Sequence, residues 1–280
     1  MSLATANKID AVFAELKAKG ETALIPFLTM GDPDLAVSVE LVQASEAAGA
    51  HMIELGVPYS DPLADGPVIQ RASERALTNK ISLIDCMGVA AEARRRGVQM
   101  PFILFTYFNP ALQLGLERFF ALLKEHDFSG VIIPDLPIEE DGEVRAIAER
   151  TGIHLIPLVA PTSEARVERI ASKARGFVYC VSSLGVTGVR SSFHEGIESF
   201  LATVRNAASV PICVGFGISS REQAERFSGL CDGVIVGSAI VRQVEEALPQ
   251  LRSPDEAVRR AGVDAVRSFI AGLKPRSRRS

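Results

Sequence analysis

The sequence predicts a closed (β/α)8 barrel, an α/β TIM barrel of eight parallel strands with an extra N-terminal helix. Three observations carry that expectation. Short apolar runs rich in Val, Ile, Leu and Phe occur eight times along the 280 residues. Segments of helical periodicity separate them, and eight such units match the roughly 250 residues typical of a barrel. The runs are near-continuously apolar, as in parallel strands covered on both faces, and right-handed crossovers curl such a sheet. An open doubly wound sheet is the competitor. Against it, no G-x-G-x-x-G follows the first strand, where the chain reads Met30-Gly31-Asp32-Pro33.

Taken in order, the first helix rests on Ile9, Val12, Phe13 and Leu16, spaced to share one face. Strands are expected at 23–29, 51–55, 101–106, 130–133, 154–158, 176–182, 211–215 and 232–236. Helices are expected at 36–48, 82–96, 116–126, 143–151, 164–174, 197–207 and 221–227, with a longer helical stretch over 239–273. After the second strand, Gly56, Pro58, Pro62, Gly66 and Pro67 forbid an immediate helix and leave a shaped loop. No linker or low-complexity tract interrupts residues 1–280, which read as one barrel domain, and 274–280 read as a frayed basic tail.

Composition narrows the function. With 47% hydrophobic and 23% charged residues the chain can bury a large core, and a net charge of -4 offers nucleic acid or an anionic membrane no general attraction. Cys86, Cys180, Cys213 and Cys231 show no C-x-x-C or Cys/His ligand spacing, which suits a reducing cytoplasm and argues for no metal. The start lacks the basic and apolar regions of a signal peptide, and no run approaches the eighteen apolar residues of a membrane span.

Chemistry concentrates after the second strand. Glu54 lies among Met52, Ile53, Leu55 and Val57, where a carboxyl must be paired, hydrogen-bonded or functional. Asp61 and Asp65 follow on the loop. Working groups of such barrels lie on the loops after the strands, so Glu54 and Asp65 form a candidate acid/base pair. Asp61 suits a turn as well as a function.

Phosphate is expected at the far side of the same mouth. Glycine-bearing loops follow the sixth, seventh and eighth strands: Thr187 with Gly188, Phe216 with Gly217, and Gly237 with Ser238. Backbone amides at a helix N-terminus, unobstructed by side chains, cradle such an anion. The loop 183–193 is a candidate lid.

The motifs PFLTMGDP, IELGVPYSDPLADGPVIQ, GVIIPDLP, SSLGVTG, VGFGIS and GSAIV occur in that order. The set resembles the tryptophan synthase alpha chain family from Asn7 to about Leu273. The resemblance implies reversible retro-aldol cleavage of indole-3-glycerol phosphate to indole and glyceraldehyde 3-phosphate, without a cofactor in this chain. It implies that Glu54 is the general acid/base and Asp65 the carboxylate that meets the indole N–H. It places Tyr179, Thr187, Gly188, Phe216, Gly217, Gly237 and Ser238 around the substrate and its phosphate. Phe27, Ile69, Phe105 and Tyr107 would line the indole pocket, and Thr29 would donate a hydrogen bond to a carboxylate.

The resemblance further implies an αββα complex in which a pyridoxal phosphate-dependent beta chain receives indole. The loops 56–62 and 134–138 would face that partner, with Asp61 and Pro62 in the interface. Some relatives carry a basic residue where this chain has Ser182-Ser183-Leu184, and Arg190, a few residues later, suits an exposed surface position or a substitute contact for the lid. Three alternatives stay open: a stand-alone lyase that frees its indole, a phosphosugar isomerase on the same barrel, and a noncatalytic activator of a beta chain.

Overall fold

Nine short strands, all parallel, form one sheet in the computed structural model, which describes residues 7–181, 196–215 and 217–276. They are β1 (Ala23–Thr29), β2 (Ile53–Gly56), β3 (Phe102–Phe105), β4 (Phe128–Ile132), β5 (His154–Leu155), β6 (Leu158–Val159), β7 (Val178–Val181), β8 (Ile212–Gly215) and β9 (Gly233–Val236). Their order is β5-β4-β3-β2-β1-β9-β8-β7-β6.

The two edges of that sheet are one predicted strand. β5 pairs with β4 while β6 pairs with β7. Pro157 between them has no N–H for a ladder, so the chain changes neighbours there. The Ile156 N–H donates to the Val131 carbonyl at 2.9 Å, and the Pro157 carbonyl accepts from the Tyr179 N–H at 3.0 Å. The fifth barrel strand thus closes the ring in two halves, and the fold is the expected (β/α)8 barrel.

Strand alternation sorts the apolar residues into two layers. Leu24, Leu28, Ile53, Leu55, Phe102 and Leu104 face the surrounding helices. Ile25, Phe27, Met52, Ile103, Ile132 and Tyr179 face inward. Glu54, two residues beyond Met52, takes an inward position by the same period.

The helices are α1 (Lys8–Lys19), α2 (Leu35–Ala47), α3 (Pro67–Thr78), α4 (Leu83–Arg95), α5 (Phe108–Leu114), α6 (Leu116–Glu125), α7 (Gly142–Thr151), α8 (Glu164–Ala171), α9 (Ile197–Ala207), α10 (Arg221–Ser228), α11 (Ser238–Glu246), α12 (Leu248–Leu251) and α13 (Glu256–Leu273). Two of them escaped the pattern of apolar residues. α3 begins on Pro67 and α5 carries Pro110 in its first turn, positions whose N–H has no intrahelical partner to lose. The stretch 239–273 is three helices, not one. Asp255 breaks it by accepting from the N–H groups of Ala257 and Val258 as the N-cap of α13.

α1 plugs the N-terminal end of the barrel. Ile9, Phe13 and Leu16 join the interior cluster, and Phe13 meets Phe177 edge-on with centroids 5.9 Å apart. Asn7 Nδ2 donates to the carbonyls of Ser129 and Gly152 at 2.8 and 2.9 Å, tying the plug to the barrel floor. At the other terminus, Lys274 lies over Gly49 and Pro275 is buried, while 277–280 lie outside the described residues. No helix among the described residues is long and apolar enough to cross a membrane.

Candidate active site

Glu54 sits in the interior of the barrel at 1% exposure, in register with Phe27 of β1 and Ile103 of β3. Its Oε1 is buried without a hydrogen-bond partner among the described residues. Burial in this apolar wall pushes its carboxyl well above the ordinary glutamate range, because the ionised form loses solvation with nothing to replace it.

Asp65 lies on the loop between β2 and α3, also buried. Burial raises its pKa to about 6, opposed by a hydrogen bond from Tyr107. The Tyr107 hydroxyl donates to Asp65 Oδ2 at 3.1 Å and accepts from the Ala64 N–H at 2.9 Å. Gln70 Nε2 of α3 fixes the same loop by donating to the Asp65 carbonyl at 2.8 Å. The two acids therefore differ: Asp65 is held by donors, whereas Glu54 has an unmatched oxygen.

Tyr107, expected to line an indole pocket, is the residue that grips Asp65. Its ring stacks on Tyr59, with centroids 4.9 Å apart. The other expected pocket residues lie in the interior cluster: Phe27 and Phe105 meet edge-on at 5.5 Å, and Ile69 joins them from α3. Gly56 makes this possible, since a Cβ there would come within 2.6 Å of the Phe27 ring. Thr29 does not serve as expected. Its Oγ1 is buried without a hydrogen-bond partner among the described residues, because the register sets Phe27, not Thr29, beside Glu54.

Tyr179 is buried on β7, and burial together with the nearby Glu54 pushes its hydroxyl up. Gly215 of β8 gives that hydroxyl room, since a Cβ at 215 would collide with it. Gly217 adopts a φ of 86°, which favours glycine, in the following loop. Gly237 precedes α11, whose first intrahelical bonds run from Ile240 and Val241 to the Gly237 carbonyl. The amides of Ser238 and Ala239 precede those bonds, and an α-helix begins with such uncommitted donors, a ready anion site. Thr187, Gly188, Phe216, Arg190 and the segment 183–193 lie outside the described residues.

Tyr59, Gln70 and the grip of Tyr107 on Asp65 are site features beyond those expected from the sequence. Gln70 closes the longest motif and was the available signal; the Tyr107 bond spans 42 positions and has no local signature. Asp61 is exposed and accepts from the Ser60 hydroxyl at 2.6 Å. With Pro62, Tyr59, Gln70 and the largely exposed Leu63 it lines a shallow cavity of about 310 Å³. The 134–138 loop borders a second cavity of about 370 Å³, between it and Arg145 and Arg166.

A sequence profile described as tryptophan synthase alpha chain matches residues 13–268. The chain belongs to the tryptophan synthase alpha chain family. It is 54% identical over 249 residues to the tryptophan synthase alpha chain of Geobacillus kaustophilus, covering 89% of this chain and 92% of that one. The alpha chain of Bacillus licheniformis is 51% identical over 239 residues, 85% and 90% of the two chains. Among solved structures, tryptophan synthase subunit alpha from Legionella pneumophila superposes with a TM-score of 0.85 at 32% identity, covering 96% of this chain and 97% of that one. Mycobacterium tuberculosis tryptophan synthase gives 0.82 at 34%, covering 95% and 99%. As a member of this family the chain is a carbon–carbon lyase with the alpha-subunit role in tryptophan synthesis.

Proposed function

We propose that Glu54 and Asp65 divide the cleavage of indole-3-glycerol phosphate between them as proton shuttle and charge partner. The observation that carries this reading is the contrast of environments: a carboxyl with one buried oxygen unmatched among the described residues, set in an apolar wall, and a donor-held carboxyl at the same mouth. Glu54, kept in its neutral form by burial, delivers its proton to C3 of the indole ring. The ring becomes an indoleninium cation whose N–H faces ionised Asp65. The bond from C3 to the side chain then breaks, and its electron pair restores the aromatic ring. Glu54 takes the proton from the side-chain hydroxyl as that carbon becomes the aldehyde. One proton enters and one leaves, so Glu54 is ready for the next turnover.

The cation at the ring nitrogen is itself the electron sink, so the step asks for no cofactor or metal in this chain. The phosphate handle is assigned to the Gly217, Gly237 and Ser238 amides; Thr187, Gly188 and Phe216 are added to it by the family resemblance alone. Tyr179 and the inward faces of Phe27, Ile69 and Phe105 pack the ring. Tyr107 orients Asp65.

The family name implies a beta-chain partner. We place that partner on the loops 56–62 and 134–138, where Asp61, Pro62 and exposed Leu63 would meet it, within an αββα assembly whose pyridoxal phosphate resides in the beta chain. Four buried thiols suit a reducing cytoplasm. The test is incubation of the purified chain with indole-3-glycerol phosphate, alone and with a beta chain. Indole and glyceraldehyde 3-phosphate in equal amounts support the reading; isomerised phosphosugar, or no product with a beta chain present, contradicts it.

A further inference from the structure

Three neighbouring βα units carry the two ends of the proposed substrate site. β2, β1 and β9 are adjacent in the sheet. The first leads to Asp65 and α3, the second to the loop holding Asp32, and the third to Gly237, Ser238 and α11. α3 and α11 pack side by side, each starting at the mouth.

Four charged side chains bind these units together behind the mouth. Arg75 of α3 donates through Nε and Nη2 to both carboxylate oxygens of Asp32, at 2.9 and 2.8 Å. Its Nη1 donates to Glu245 of α11 at 2.8 Å. Arg71, one turn earlier, grips both oxygens of Glu245 at 2.8 Å. Asp32 is 2% exposed and Arg75 17%, so the inner half of the network is shielded from solvent and salt. Hydrogen bonds from Arg71, then Arg75, hold Glu245 ionised down to about 2.

A planar guanidinium committed to two carboxylates at once fixes distance and angle, which a flexible ammonium does not. None of the four residues belongs to the proposed site itself. We propose that Arg75, with Asp32 and Glu245, is a positioning clamp that sets the span between the carboxylate meeting the indole N–H and the helix terminus meeting the phosphate. This rests on the lyase reading above. A substrate with a ring at one end and a phosphate at the other gains from two linked contacts only when the spacing of the sites matches its own.

The prediction is that loosening the clamp harms the whole molecule and spares its parts. Arg75→Lys and Glu245→Gln are compared with wild type for kcat and KM with indole-3-glycerol phosphate. Indole alone and glycerol 3-phosphate alone are titrated separately by NMR. We expect kcat/KM for the whole substrate to fall about 10- to 100-fold, while each fragment's Kd stays within about twofold. Fragment affinities that fall in step with kcat/KM would reduce the clamp to a general scaffold. A kcat/KM within about twofold of wild type would refute it as well. Glu245 is a quarter exposed, so Glu245→Gln carries the test should Arg75→Lys fail to fold. A wild type that releases no indole would overturn the lyase reading instead, before any variant is compared.

Discussion

The two ends of this barrel are built to opposite rules. At the N-terminal end, α1 fills the opening with Ile9, Phe13 and Leu16, and Asn7 matches its amide donors to two carbonyls. At the C-terminal end, Glu54 Oε1 and Thr29 Oγ1 are buried and unmatched among the described residues. A buried polar atom without a partner costs about 1–3 kcal/mol, so one end favours stability and the other keeps polar groups uncommitted. Chemistry belongs to the end of the barrel that is left unsatisfied.

The two ends should differ most in kinetics. Glu54→Gln keeps the shape and removes the transferable proton, so steady-state indole release should fall by about 10²- to 10⁴-fold, with the fold intact by circular dichroism. Next in size is Phe13→Ala at the plugged end. It should cost about 3–5 kcal/mol in urea unfolding, yet leave turnover per folded molecule unchanged. A large loss of kcat from Phe13→Ala would erase the distinction between the ends.

A smaller effect tests the sign of the strain at the mouth. The folded pKa of Asp65 is raised from 3.8 to about 6, so the folded state binds more protons than the unfolded one between those values. Wild-type stability attributable to this group is therefore full below about 3.8 and lost as pH rises through about 6. Asp65→Asn should accordingly be more stable than wild type at pH 8 by about 3 kcal/mol, with the gain vanishing near pH 4. The same variant should lose indole release. Asn7→Ala should be smallest, costing about 1 kcal/mol through the lost cap and floor bonds without touching kinetics.

The barrel and its acid pair were legible because they are local. Glu54 sits two residues from Met52, and a period of two sends both inward. The loop after β2 announced itself by Gly56, Pro58, Pro62, Gly66 and Pro67. What escaped was either masked by proline or made by closure. α3 and α5 hide because a proline in a first turn resembles a helix breaker. The Tyr107 bond to Asp65 and the Arg75 bond to Glu245 join positions 42 and 170 apart, which meet only once the sheet has curled. Strand five was expected unbroken, although Pro157 in its middle was the mark of the change of neighbours.

Burial in the barrel wall should keep Glu54 protonated where exposed glutamates are ionised. Carbon-13 NMR of protein labelled at the glutamate carboxyl, with Glu54→Gln to assign the resonance, measures this directly. The Glu54 carboxyl should still show its protonated shift after the exposed glutamates have titrated. A Glu54 resonance titrating with them, near the ordinary 4.5, would contradict it.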